Sequence, residues 1–207
     1  MKYMSELPEA ALTCNPKARC TLSRVLIERA DYQSCRKAVD RALQVFPLGI
    51  TGRQVLIKPN VLRASKPEEG IVTHPAVLRA VVEAVQEMHP ESIIVGDNPG
   101  LHNYGDNERC FDQTGLMDAA RGFYRNIGNE SDQVDFDPSF LPRVSVSRAV
   151  LQADVIISLP KFKTHGLTVI TGAIKNSYGI LPGGLKAKLH KASGTPERFH
   201  DAVAQVF

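Results

Sequence analysis

A segment rich in lysine, histidine, threonine and glycine runs from Lys161 to Gly184 and has the composition of an anion site. Lysine ammonium groups bind anions, and glycines let main-chain N–H groups approach a ligand closely. A helix predicted to begin near Leu167 would add free N–H groups and a positive dipole. The segment therefore predicts a site for phosphate or carboxylate. It contains neither G-x-x-x-x-G-K-S/T nor G-x-G-x-x-G, so it does not predict nucleotide binding of the common types.

Histidines supply the candidate acid–base or metal-binding groups. His165 could exchange protons near neutral pH or ligate a metal, and a hydrogen-bonded structural histidine is the alternative. His190 either folds back onto the same site or lies in a solvated basic loop. A metal site would draw on Asp97, His102, His165 and His190. No two of these have the H-x-x-x-H spacing of helical ligands, so the sequence supports a metal site only weakly and does not identify the metal.

Three predicted strands end at polar residues beside a proline. Gln54–Lys58 is followed by Pro59 and Asn60, the strand 92–96 by Asp-Asn-Pro-Gly, and the strand 154–158 by the Lys161 segment. Strands that alternate with helices predict a mainly parallel sheet, whose ligands bind beyond the carboxyl ends of the strands. Each exit taken singly could be an ordinary turn or a solvated lysine. Together they predict one crevice, formed by Lys58, Asn60, Asp97, Asn98, Lys161, Lys163 and His165.

The remaining patterns predict the elements that position this crevice. Apolar spacing predicts a strand over 24–28, a helix over 35–46 with Ser34 as its N-cap, and helices beginning at Pro75, Arg109 and Pro196. Weaker patterns predict a strand over 143–147 and a helical turn over 149–152, and 154–158 is typical of a buried strand. The predicted fold is α/β: a mainly parallel sheet flanked by helices in a Rossmann-like layering, with one domain over 21–207. Residues 1–20 are predicted to be a flexible N-terminal segment.

Bulk composition limits the functional classes. A net charge of +3 and 6% aromatic residues do not favour nucleic-acid binding, although Lys186, Lys188 and Lys191 form a local basic stretch. The four cysteines include no C-x-x-C pair, so no cofactor is predicted within this chain; Cys35 and Cys110 are expected in the core, and a disulfide between Cys14 and Cys20 is disfavoured in a reducing cytosol. Without an apolar run of 18 residues, the chain is expected to be cytoplasmic and not membrane-spanning.

The apolar face of the last predicted helix continues to Phe207, through Phe199 and Val203. This pattern predicts a chain cut from a longer protein. An apolar edge left by such a cut would favour a homo-oligomer.

Five ordered motifs resemble the family named domain of unknown function 362. They are Val55–Asn60, Thr73–Pro75, Val95–Gly100, Ala153–His165 and Thr171–Asn176. The likeness extends from about residue 24 to the end, although His74 stands where the family is expected to have Asp. Many members continue into a ferredoxin-like segment, so the resemblance implies 4Fe–4S clusters in a following segment, a ferredoxin-type domain in cis, and redox metabolism.

The sequence therefore predicts an enzyme domain that binds a small anionic ligand. Lys161, Lys163 and Lys175 would hold the anion, His165 would act as acid and base, and Asp97 would orient or ligate. The predicted catalytic residues are His165, Asp97 and Lys163. The predicted ligand-binding residues are Lys58, Asn60, Asn98, Lys161, Thr164, Lys175 and Asn176. The alternative is a non-catalytic ligand- or metal-binding module that positions a redox domain.

Overall fold

The computed structural model describes residues 24–100 and 103–207. The predicted flexible segment 1–20, with Cys14 and Cys20, and His102 lie outside the described residues. The helices are α1 (Cys35–Val45), α2 (Pro75–Gln86), α3 (Asn107–Gln113), α4 (Leu116–Ala119), α5 (Arg148–Gln152), α6 (Ala173–Ser177), α7 (Leu185–Ser193) and α8 (Pro196–Val206). The strands are β1 (Gln54–Pro59), β2 (Ser92–Val95), β3 (Ser131–Asp135), β4 (Arg143–Ser147), β5 (Val155–Leu159), β6 (Lys163–His165) and β7 (Val169–Thr171).

A parallel sheet in the order β2-β1-β5 determines where the strand ends meet. Ile57 lies opposite Val95 on one side of β1, and Lys58 lies opposite Ser158 on the other. Helix α2 connects β1 to β2, as a parallel crossover requires. The predicted α/β class, with a parallel sheet flanked by helices, is confirmed. The carboxyl ends of all three strands lie at one edge of this sheet.

Two hydrophobic clusters hold the elements in place. In the first, α2, α3 and α4 pack against β1 and β2, with Ile57, Leu78 and Phe111 fully buried. The second joins β4 to α7 and α8 through buried side chains such as Leu189 and Phe199. Burying each of these side chains contributes about 1.5–3 kcal/mol. The two clusters fix the sheet edge and the C-terminal helices against which the functional segment lies.

The prediction of a helix beginning near Leu167 is wrong. Strands β6 and β7 form an antiparallel hairpin there, with Thr164 opposite Ile170. The β-branched run 168–171 favours extended structure. His165 Nδ1 accepts hydrogen bonds from the N–H groups of Leu167 and Thr168, both at 3.1 Å, which stabilises the turn. Helix α6 begins only at residue 173, so no helix N-terminus lies at the predicted place.

Three further predictions of local structure fail for identifiable reasons. Residues 24–28 form no strand, and Val25 and Ile27 are 80% and 90% exposed among the described residues. The helix predicted from Arg109 is split at Gly115, whose φ of 70° is left-handed. Strand β5 is only partly buried on one face, and the described elements leave Ile156 on its other face 45% exposed.

Local predictions at helix starts and at the cysteines are largely confirmed. His74 caps α2, because its Nδ1 accepts the N–H of Ala76 at 3.1 Å. Ser34 occupies the N-cap position of α1 but makes no side-chain capping bond there. Cys35 and Cys110 are buried free thiols. The sequence thus located the starts of α1 and α2, and of the residues at these two caps only Ser34 makes no side-chain capping bond.

Candidate active site

A pocket of about 220 Å³ opens at the carboxyl edge of the parallel sheet. Loops after β1 and β2 form one side, and the β6–β7 hairpin, α6 and α7 form the other. Its polar lining consists of Asn60, Asp97, Asn98, Tyr104, Lys163, His165, Thr171, Lys175, Asn176, Tyr178, Lys186 and His190. The three strand exits meet at this edge, as predicted, but Lys58 and Lys161 of the predicted crevice do not line the pocket. Thr73 joins two of the exits, since its hydroxyl donates to Leu159 O at 2.5 Å and accepts from Asn60 N at 2.8 Å.

A buried ion pair lies beneath the pocket. Lys58 Nζ is 2.5 Å from Asp97 Oδ1, and both side chains are only 2% exposed. Asp97 Oδ1 lacks a hydrogen bond of good geometry, whereas Oδ2 accepts the N–H of Val61 at 2.7 Å. Lys58 Nζ also donates to Asn176 Oδ1 at 3.4 Å. A pair removed from water in this way is costly to break, because either partner alone would be an uncompensated buried charge.

Glycine at position 179 allows the main chain to pass close to this pair. A Cβ placed there would come within 2.6 Å of Lys58 Nζ and would also collide with Asp97 Oδ1. Gly179 O accepts from the main-chain and side-chain nitrogens of Asn98, at 3.3 and 2.8 Å. The Asn98 amide also donates to Ser147 Oγ at 3.0 Å. Asn98 therefore fixes the loop after β2 against the segment after α6.

Lys186 is a buried cation of the site that the sequence did not identify. It is 5% exposed, and its Nζ donates to Asn98 O at 2.5 Å and to Pro99 O at 2.8 Å. Burial lowers its pKa to about 7; Asp97 opposes this shift, and other lysines add to it. The signal in the sequence is its helical spacing, because Lys186 shares one buried face of α7 with Leu189 and Ser193.

Lys163 and Lys175 face the same pocket from β6 and α6. Burial lowers the pKa of each to about 8; the charge of Asp97 opposes the shift, and neighbouring lysines add to it. Lys163 Nζ donates to Ile71 O. Lys175 Nζ lies 4.6 Å from the centroid of the Tyr178 ring, a cation–π distance. Asp97 is the sole carboxylate in the described lining, so positive charge predominates there.

Two imidazoles complete the polar lining. Burial, with the charges of Lys175 and Lys163, lowers the pKa of His165 to about 4. Its Nδ1 accepts two main-chain N–H groups, so the neutral ring carries its proton on Nε2. Burial and Lys175 also lower the pKa of His190, which lies on α7 and not in the solvated loop that was the alternative. Both rings are therefore neutral near pH 7.

Several buried polar atoms of the lining have no partner among the described residues. These are Asn60 Oδ1, Thr171 Oγ1 and His190 Nε2. A buried polar atom without a partner costs about 1–3 kcal/mol. Atoms of this kind in a pocket can be satisfied by a bound ligand or by water.

Three predicted ligand residues, Lys58, Lys161 and Thr164, lie outside this lining, and Lys58 is instead the buried partner of Asp97. Thr164 is exposed, because alternate residues of a strand point to opposite sides and it lies between Lys163 and His165. Lys161 precedes β6, and its Nζ lies 3.4 Å from Tyr32 OH. Tyr104, Thr171 and Tyr178 line the pocket but were not predicted.

No group of three or more His, Cys, Asp or Glu side chains suited to a metal occurs within residues 24–100 and 103–207. In the same ranges, no helix is long and apolar enough to span a bilayer.

The model of the family called domain of unknown function 362 matches residues 55–207. The chain belongs to this family. That confirms the resemblance of the motifs, and each strand exit of the pocket falls within the matched range. One relative of this chain is the thylakoid-associated protein sll1697 of Synechocystis sp., which is 30% identical over 146 residues. The match covers 69% of this chain but only 44% of that protein, so the chain spans less than half of the relative's length. No solved structure matches the chain.

Proposed function

We propose that the pocket binds a small anionic molecule, a phosphate or a carboxylate, and that the domain acts on it as an enzyme. The observation that carries this proposal is the charge of the site. Lys163, Lys175 and Lys186 line the pocket, whereas Asp97 is the one lining carboxylate in the described residues and is already paired with the buried Lys58. An anion would offset the excess charge and raise the lowered pKa values of the lysines.

Each polar group then has a separate role. Lys163 and Lys175 hold the anion, Asp97 keeps Lys58 in place, and the Nε2 proton of His165 is donated to the ligand. A bound anion would also raise the pKa of His165 from about 4 towards neutrality, where proton exchange is efficient. The unpartnered Thr171 hydroxyl supplies a further hydrogen bond.

Titration calorimetry with inorganic phosphate and with succinate, at pH 6 and pH 9, tests the binding. We expect Lys163→Met and Lys175→Met each to weaken binding by at least about tenfold, because a charge-assisted hydrogen bond contributes about 1.5–3 kcal/mol. The matched control is Lys188→Met, which removes an exposed lysine from α7. Binding should weaken from pH 6 to pH 9 as the amines lose protons. Affinity that is equal in all variants and at both pH values would contradict the proposal.

The second candidate is a non-catalytic module that binds its ligand and positions a redox domain. It is favoured by the hydrogen bonds of Lys163 and Lys186 to main-chain carbonyls, since such amines also support the loops. This function predicts stoichiometric binding without turnover. In the enzyme, His165→Gln would remove turnover of a converted ligand while leaving phosphate affinity within about threefold.

The activity of the whole protein is also a proposal. A link to iron–sulfur redox chemistry is supported by the family resemblance alone, as are 4Fe–4S clusters in a ferredoxin-type domain in cis. The cytoplasmic location and the Rossmann-like layering are likewise proposals. The parallel strand order β2-β1-β5 supports the layering. Sedimentation of the purified chain would test the proposed homo-oligomer.

A further inference from the structure

One of the four lysines at the pocket has no acceptor for its amine. Lys58 is paired with Asp97, and Lys163 and Lys186 donate to main-chain carbonyls. Lys175 Nζ has neither a hydrogen bond nor an ion pair with any residue in 24–100 or 103–207, although it lines the pocket. It is therefore the amine most available to react with a bound molecule.

Burial and neighbouring positive charge favour the neutral amine of Lys175, whereas the face of the Tyr178 ring favours its ammonium and holds it in place. The ring of Tyr178 lies beneath its Nζ, and this tyrosine is fixed because its hydroxyl donates to Lys186 O at 2.8 Å. Burial and the charge of Lys58 lower the pKa of Lys175 to about 8. Roughly a tenth of the amine is then neutral at pH 7, on the order of 300-fold more than for an ordinary lysine. A neutral amine next to other cations is the form that attacks carbonyl carbon.

We propose, on the basis of the anion-binding function above, that Lys175 forms an imine with the carbonyl carbon of a small anionic oxo acid. The Nζ lone pair forms the C–N bond and the carbonyl oxygen takes a proton, giving a carbinolamine. A second proton lets that oxygen leave as water, so the C–O bond breaks and an iminium forms. From ammonium and ketone to iminium and water, protons and charge balance, and no oxidant or reductant is consumed.

Neighbouring groups fit the two ends of such a substrate. The ammonium of Lys163 faces the same pocket and would hold the carboxylate of the oxo acid. His165 and His190 line the same pocket as Lys175. Either ring can transfer protons between the amine and the leaving oxygen.

Reductive trapping tests this proposal. The purified chain is incubated at pH 7 with sodium pyruvate and sodium cyanoborohydride, and tryptic peptides are then mapped by mass spectrometry. We expect the reduced adduct on Lys175, at least about tenfold more abundant than on the exposed Lys188. Lys175→Arg should lose the adduct, because its guanidinium stays protonated and cannot form an imine. Lys188→Arg is the matched control and should keep the adduct on Lys175.

An adduct on Lys163 in place of Lys175, or adducts spread evenly over surface lysines, would overturn the imine. The position of the adduct in the unsubstituted chain decides this even if an arginine variant fails to fold. Calorimetry with phosphate separates the two proposals. Phosphate binding without an adduct rejects the imine and leaves anion binding intact, whereas absence of both rejects both.

Discussion

Lys186→Met should change the pH dependence of stability in a direction set by the buried amine. The pKa of Lys186 is lowered from 10.5 to about 7 in the folded chain. Between these values the unfolded chain binds more protons, so the lysine makes the free energy of unfolding rise with pH. From pH 6 to pH 9 this contribution is about 2–3 kcal/mol. The methionine variant lacks it, so the wild type should gain that much stability relative to the variant.

The assay is urea unfolding at pH 6, 7, 8 and 9 in phosphate-free buffer, followed by far-UV circular dichroism because the chain has no tryptophan. Loss of the hydrogen bonds to Asn98 O and Pro99 O adds a nearly constant cost, since the neutral amine also donates. Lys188→Met, on the exposed side of the same helix, should show a difference that does not vary with pH. If the difference for Lys186→Met stays constant within about 0.5 kcal/mol, burial has not lowered its pKa.

Three other substitutions and reactions test the site. Asp97→Asn should lower the free energy of unfolding in urea by about 3–5 kcal/mol, because it leaves Lys58 buried without a counter-charge; a loss below about 1 kcal/mol would show that the pair is not buried. Gly179→Ala should lower the free energy of thermal unfolding by about 1–3 kcal/mol, since the added Cβ would collide with Lys58. The control Gly184→Ala has open space around its Cβ and should not lower it, so equal effects would rule out the close approach at Gly179. Burial raises the pKa of Cys110 to about 11, so iodoacetamide at pH 8 should alkylate this thiol only in urea. Peptide mass spectrometry measures the alkylation, and fast labelling of the folded chain would contradict the burial of Cys110.

Local predictions succeeded where one physical preference dominates. The apolar stripe of α2 and the proline at its first position specify that helix without any tertiary contact. Strand exits with polar residues beside proline predicted the pocket edge, because parallel strands place their carboxyl ends together. Local preference failed at 24–28, where a strand-like sequence has no partner strand in the described structure.

The sequence by itself determined the family, the α/β class and the location of the pocket, since motif order and hydrophobic periodicity are properties of the chain alone. Tertiary structure decided which cations line the pocket. Thr164 lies between two pocket residues yet points to solvent, because strand alternation depends on where the hairpin begins. Lys186 comes from a distant helix, and packing of α7 brings its amine to the loop after β2. The pKa shifts of these groups are also decided by tertiary structure, because burial and neighbouring charge exist only after the chain has folded.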